Sequence, residues 1–160
     1  MRAAVVGFGA IGSQVVAGIQ RGDVPCVELV GVVVRRPGST GGAAREITLE
    51  EAIDGADLIV ECAGRAAAAS LAPRVRAAGR DLLLVSIGAL ADEGLREQLA
   101  GTDAVGSLFL STGAIGGLDL LTAAGAAGGL DRVSLMTTKQ PRALVQPWMS
   151  EAERDAVLTS

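Results

Sequence analysis

The chain has 160 residues, 49% of them apolar, and a net charge of −4, which is enough to bury one sizeable core and excludes a disordered segment. Its charged residues form no basic run, which argues against a nucleic-acid surface. Histidine is absent, so the commonest general base and metal ligand is missing, and Cys26 and Cys62, far apart and outside any CxxC motif, do not make a metal site.

The opening Met1-Arg2 before AAVVGFGAIG has the outline of a signal peptide, but the ordered glycines and the polar Ser13 and Gln14 favour a strand, a glycine turn and a helix. The strand is Arg2–Val6 and the helix runs from about Ala10 to Gln20. Val27–Val34 is an almost unbroken apolar run, as expected of a strand covered on both faces. Arg35–Gly42, with Pro37, Gly38, Gly41 and Gly42, reads as a loop. Thr48 and Glu51 have capping-box spacing and open a short helix. Asp57–Cys62 is the next strand. Arg65–Ala78 is an alanine-rich helix with Gly79 as its C-cap. Leu82–Ser86 is a strand, Asp92–Ala100 a helix and Ala104–Leu110 a strand. A helix through about Ala127 follows. Arg132–Thr138 alternates, with Val133, Leu135 and Thr137 on one face, and predicts a half-exposed strand of a second, antiparallel sheet. Pro141 and Pro147 break up the remainder.

Strands alternating with helices predict an α/β fold, a Rossmann-type doubly wound parallel sheet in residues 1–112. Residues 113–160 read as a crossover helix and the beginning of an α+β substrate domain, with a composition shift near Gly128-Gly129. The uncharged segment Ala104–Leu118 is interrupted by glycines and too short to span a bilayer. Two isolated cysteines suit a reducing cytosol. The expectation is a cytoplasmic protein without a membrane segment or export signal.

GAIG occurs twice, at Gly9–Gly12 and Gly113–Gly116. The first copy completes Gly7-Phe8-Gly9-Ala10-Ile11-Gly12, a G-x-G-x-x-G motif between a strand and a helix. Gly7 permits the tight turn, Gly9 the approach of backbone to a pyrophosphate, and Gly12 close packing of helix on strand. The helix N-terminus, with Ala10 and Ile11, offers free N–H groups and partial positive charge to the anion. An NAD site usually carries an acid at the end of the second strand. Here that end reads Val34-Arg35-Arg36. Two guanidinium groups suit a 2′-phosphate, so Arg35 and Arg36 favour NADP, with NAD left open. The second copy lacks the first glycine of a fingerprint, since Ser111 occupies that position, and no βαβ unit follows it. It is not a second nucleotide site. It is either a loop returning to the same crevice or a hinge.

GFGAIG, then VECAG at Val60–Gly64, SIGAL at Ser86–Leu90 and GAIGGLD at Gly113–Asp119, in that order, resemble the L-aspartate dehydrogenase family. The resemblance covers nearly the whole chain, through TTKQPRAL at Thr137–Leu144. It implies a two-domain, homo-oligomeric enzyme that oxidises L-aspartate with NAD or NADP to iminosuccinate, which hydrolyses to oxaloacetate and ammonia or feeds quinolinate synthesis for NAD. It also implies that Cys62, Ala63 and Gly64, with Ser86, Ile87, Gly88 and Ala89, line the cofactor crevice, and that Ala114 contacts the cofactor. The family's catalytic histidine belongs to the substrate domain, beyond Ser160, so no catalytic residue and no metal ligand is assigned. Lys139-Gln140 stands where the family has basic residues before Pro141, a departure from the pattern. Cys62 reads as an inert thiol, Lys139 as a solvated charge and Asp119 as a complement to a helix dipole. Two functions remain: the cofactor-binding half of an aspartate dehydrogenase, inactive alone, or a stand-alone or decayed NAD(P)-binding module without catalysis.

Overall fold

The structure, a computed structural model, describes residues 1–101, 105–113, 115–136, 138–146 and 149–159. The chain divides into two compact units, Met1–Gly116 and Gly117–Ser160.

In the first unit five strands form one sheet: β1 (Arg2–Val6), β2 (Glu28–Val33), β3 (Leu58–Glu61), β4 (Asp81–Leu84) and β5 (Leu108–Leu110). Their order is β2-β1-β3-β4-β5 and every neighbouring pair is parallel. Helices α1 (Ala10–Arg21), α2 (Leu49–Gly55), α3 (Arg65–Ala77) and α4 (Glu93–Ala100) make the crossovers, with a 3-10 turn at Ile87–Ala91 ahead of α4. This is the expected doubly wound Rossmann-type sheet. Two strands are shorter than their apolar runs. The ladder of β2 ends at Val33 because β1 ends at Val6, its partner in the register. In β5 only Leu108–Leu110 pairs with β4, and residues 102–104 of the expected strand lie outside the described residues.

The strand order decides which face each helix covers. Crossovers between parallel strands are right-handed, so a step toward one edge and a step toward the other place their helices on opposite faces. Only β1 to β2 runs one way. Its helix, α1, brings Val16 and Ile19 against Ala3, Val5, Val32 and Val60. The remaining steps run the other way, and α2, α3 and α4 bury Ala52, Leu71, Ala72, Val75, Leu95 and Leu99 against Ala4, Val6, Ile59, Leu82 and Leu84. The core is thus Val, Leu, Ile and Ala, packed on both faces of the central strands.

Local signals in the sequence act as expected. The Thr48 hydroxyl accepts from the Glu51 amide at 3.1 Å while the Glu51 carboxylate accepts from the Thr48 amide at 2.7 Å, a complete capping box on α2. Gly79 follows α3 with φ +68°, in the left-handed region that favours glycine. At the amino edge of the sheet, Asp57 accepts from the Arg2 amide at 2.7 Å and Asp81 from the Ser107 amide at 2.6 Å, tying each strand start to a neighbour.

The α1 face is only partly covered. Beside α1, an apolar groove of about 570 Å³ runs along it, lined by Leu58 and Val60 of β3, Leu83 of β4, Val85 just beyond that strand, and Val15 and Ile19 of the helix. It lies against the flat of the sheet, and none of Gly7, Gly9 or Gly12 lines it.

The second unit contains α5 (Leu118–Ala126), α6 (Pro141–Leu144) and α7 (Glu151–Thr159). The expected antiparallel strand at Arg132–Thr138 is not formed: residues 132–136 have no regular structure, and Thr137 lies outside the described residues. Alternation alone does not make a strand. A ladder needs a neighbouring edge, and the described residues of this unit contain no second strand to supply one. Val133 and Leu135 accordingly remain exposed, at 53% and 67%. Among the described residues no helix is long and apolar enough to cross a membrane.

Candidate functional site

The site lies along the carboxyl edge of the sheet, where the strand order reverses between β1 and β3. In an open parallel sheet the crevice for ligands opens at such a reversal. Four loops leave the sheet along this edge: Gly7–Gly9 after β1, Val34–Gly42 after β2, Cys62–Gly64 after β3 and Val85–Gly88 after β4.

The three glycines of the first loop are there for different reasons. Gly7 has φ +96°, and a Cβ on it would lie 2.8 Å from both the Ala63 Cα and the Cys62 carbonyl oxygen. Its amide donates to the Val33 carbonyl at 2.8 Å, which closes the turn onto β2. Gly12 is buried in the first turn of α1, and a Cβ there would run into the Gly7 carbonyl. These two are demanded by the fold. Gly9 is not. Its φ of −87° and ψ of −161° suit any residue, and a Cβ on it would meet nothing within 4 Å. The space in front of Gly9 is therefore open from the protein's side.

Gly9 is also the N-cap of α1. No side chain caps that helix, and its first turn holds no acidic residue. Exposed Ala10 and Ile11 begin it. A helix start of this kind leaves amide donors and the positive end of the dipole facing the crevice. Open space at Gly9 beside uncapped amides fits the pyrophosphate of a dinucleotide.

Arg35 and Arg36 follow β2 and are exposed. Among the described residues neither guanidinium has an ion-pair partner. The loop beyond them is held by an acid that the sequence reading passed over. The Glu46 carboxylate accepts from the Gly38 amide at 2.8 Å, the Thr40 amide at 2.9 Å and the Thr40 hydroxyl at 2.9 Å. Those bonds hold the Glu46 carboxyl below the usual carboxylate range, the Thr40 amide contributing most and the Gly38 amide next. With its carboxylate folded into the loop, Glu46 leaves the two arginines as the free charges at the end of β2.

On the other side of the reversal, Cys62, Ala63 and Gly64 form the turn into α3, and Ser86 and Gly88 the turn after β4. Gly64, with φ +101°, is the N-cap of α3, again without a side-chain cap. A Cβ on Gly88 would meet the Arg65 stem at 3.0 Å, so this turn packs along that side chain. Burial pushes the Cys62 thiol up to about 11, and the neighbouring Glu61 charge adds to the effect. It is an inert thiol at neutral pH.

Glu61 is the second acid absent from the sequence reading. It ends β3 and is completely buried. One carboxylate oxygen accepts from the Ala63 amide at 2.7 Å, the Gly64 amide at 3.0 Å and the Ser86 hydroxyl at 2.9 Å. The other accepts from the Ser86 amide at 2.9 Å. The signal was on view: a carboxylate closing the apolar run Leu58-Ile59-Val60 must be hydrogen-bonded if it is buried. Ser111 and Gly113 follow β5, the Gly113 amide donating to the Ser111 hydroxyl at 3.1 Å. Ala114, expected to touch a cofactor, lies outside the described residues. Among the described residues no cluster of acids and cysteines could hold a metal ion.

Comparison with known proteins places the chain among nicotinamide-dependent dehydrogenase sequences. The family profile "homoserine dehydrogenase, NAD binding domain" matches residues 7–106. An L-aspartate dehydrogenase of Bordetella pertussis is 40% identical over 128 residues, 78% of this chain and 49% of the relative. The L-aspartate dehydrogenase of Methanosarcina acetivorans is 34% identical over 155 residues, 91% of this chain and 56% of the relative. The chain therefore spans about half the length of the curated relatives it matches. Among solved structures, the aspartate dehydrogenase of Thermotoga maritima superposes with a TM-score of 0.58 at 23% identity, covering 77% of this chain and 50% of that one, which is a likeness of fold.

Proposed function

Because the chain belongs to the homoserine dehydrogenase NAD-binding domain family, we propose that its first unit binds one nicotinamide dinucleotide, NADP or NAD, and is the cofactor-binding part of an oxidoreductase of the L-aspartate dehydrogenase type. The observation that carries the reading is the difference between the glycines. Gly7 and Gly12 have no room for a side chain because of the protein itself, whereas Gly9 faces open space at an uncapped helix start. A glycine that the fold does not require is explained by a ligand that approaches its backbone.

Gly7–Gly12 and the amides of α1 would hold the pyrophosphate, and Arg35 and Arg36 would read the adenosine ribose. Cys62–Gly64, Ser86 and Gly88 would border the far half, with Ala114 part of the same proposal. A bound oxidised nicotinamide supplies a hydride acceptor for the α-carbon of an amino acid. The substrate proposed is L-aspartate, because relatives named for that activity match along most of the chain. A cytoplasmic location and a homo-oligomeric state complete the proposal, the second supported by exposed Leu120, Leu135 and Met136 that association would cover.

Titration calorimetry with NADPH tests it. One site per chain is expected, and Gly9→Val should abolish binding while leaving the melting temperature unchanged. Two sites, or undiminished binding by Gly9→Val, would overturn the reading. A second reading, nucleotide binding without chemistry, is favoured by the absence of histidine in these 160 residues, since amine oxidation needs a proton acceptor beside the substrate. Both readings expect no NADPH formation from L-aspartate and NADP by the purified chain alone, and turnover in that assay would overturn the second.

A further inference from the structure

Resting on the cofactor reading above, we infer that Glu61 is a positioning residue that locks the β3 and β4 loops together and thereby shapes the nicotinamide half of the crevice.

Its placement follows from the register. Glu61 is opposite Val6 on one side and Leu84 on the other, in the last paired row of the sheet. Its side chain is therefore at the carboxyl edge, between the loop that packs on Gly7 and the loop that leaves β4. Two segments of chain with no covalent link nearby converge on one carboxylate. From its own side come the Ala63 and Gly64 amides; from across the edge come the Ser86 amide and hydroxyl. The Ser86 hydroxyl also accepts from the Gly64 amide at 3.1 Å, so the two loops are joined directly as well as through the acid.

A carboxylate does here what no other side chain of its size does. It presents acceptors only, and it is met only by donors in the bonds it makes. An amide in its place would turn an N–H₂ group toward backbone N–H groups. A buried apolar residue would strand the Ala63 and Ser86 amides and leave the Gly64 amide only the Ser86 hydroxyl. The arrangement also reaches the ligand edge. Topology puts the adenosine half of a dinucleotide at the end of β2, with Arg35 and Arg36, so the opposite half falls over the ends of β3 and β4. Those are the two ends that Glu61 joins. A shift of either loop would misplace groups facing the nicotinamide, yet leave the end of β2 untouched.

The test separates the two halves of the ligand. Affinities for 2′-phospho-ADP-ribose, ADP-ribose and NADPH are measured by calorimetry, and the reduced-nicotinamide fluorescence of bound NADPH is recorded. Glu61→Gln is expected to weaken NADPH at least tenfold and 2′-phospho-ADP-ribose less than threefold, with loss of the emission change on binding. Ser86→Ala, which leaves the acid and the backbone donors in place, should show the same split to a smaller degree, and Ser86→Thr should restore it. Equal losses on all three ligands, or no loss on any, would overturn the inference, and so would a Ser86→Ala variant indistinguishable from the original. Failure of the unaltered chain to bind any of the three would instead overturn the cofactor reading itself.

Discussion

Gly7 and Ala63 touch backbone to backbone across the end of the sheet, with only 2.8 Å between the Ala63 Cα and the place where a Gly7 side chain would begin. The turn after β1 and the turn after β3 thus form one surface. Gly7→Ala is therefore a stability variant first: it combines a positive φ with a backbone collision, and about 2–4 kcal/mol of destabilisation is expected. Urea unfolding would show it. Gly9→Ala, by contrast, should unfold at the same urea concentration as the original chain.

Under the proposed reading, cofactor preference rests on the end of β2. Arg35 and Arg36 are exposed and unpaired among the described residues, and Glu46 is occupied by the loop amides. NADPH is expected to bind at least as tightly as NADH. Arg35→Asp should shift the ratio of the two dissociation constants toward NADH by about tenfold or more, the worth of a charge-assisted hydrogen bond. A native preference for NADH would mean that the arginines do not meet the ribose.

The cysteines should differ in reactivity. The Cys62 thiol, pushed up to about 11 by burial, stays protonated at neutral and mildly alkaline pH, whereas Cys26 is exposed. Iodoacetamide at neutral pH should modify Cys26 first and Cys62 only slowly, as read by peptide mass spectrometry. In urea the two rates should converge.

Acid should destabilise the first unit in a traceable way. Glu46 is held below the ordinary carboxylate range by the Thr40 and Gly38 amides, and Asp57 by the Arg2 amide first and then its side chain. For a lowered folded-state pKa, the stabilisation is complete above the unfolded value and is lost as pH falls through the folded one. The urea midpoint should therefore hold steady down to about pH 5 and fall below about pH 4, where ordinary carboxylates titrate. Glu46→Gln should lower the midpoint at neutral pH and flatten its decline in acid. An unchanged pH profile in that variant would show that the loop does not depend on the charge.

Features that rest on neighbours along the chain were legible in the residues alone. The spacing of Gly7, Gly9 and Gly12 between an apolar strand and a helix, the Thr48–Glu51 capping box and the Gly79 helix end are all local, with partners within a few residues, so pattern and propensity suffice to find them. The alternation of strands and helices likewise set the parallel sheet, because right-handed crossovers leave few ways to arrange it. Tertiary structure decided what depends on distant partners. Glu61 looked like one residue of VECAG until β4 brought Ser86 to it. Gly9 could be told from Gly7 only once Ala63 had packed against one and left the other clear. Arg132–Met136 has the alternation of a strand without becoming one, because the hydrogen bonds of a strand belong to its neighbour, and a sequence period states only which face would be apolar if that neighbour were there.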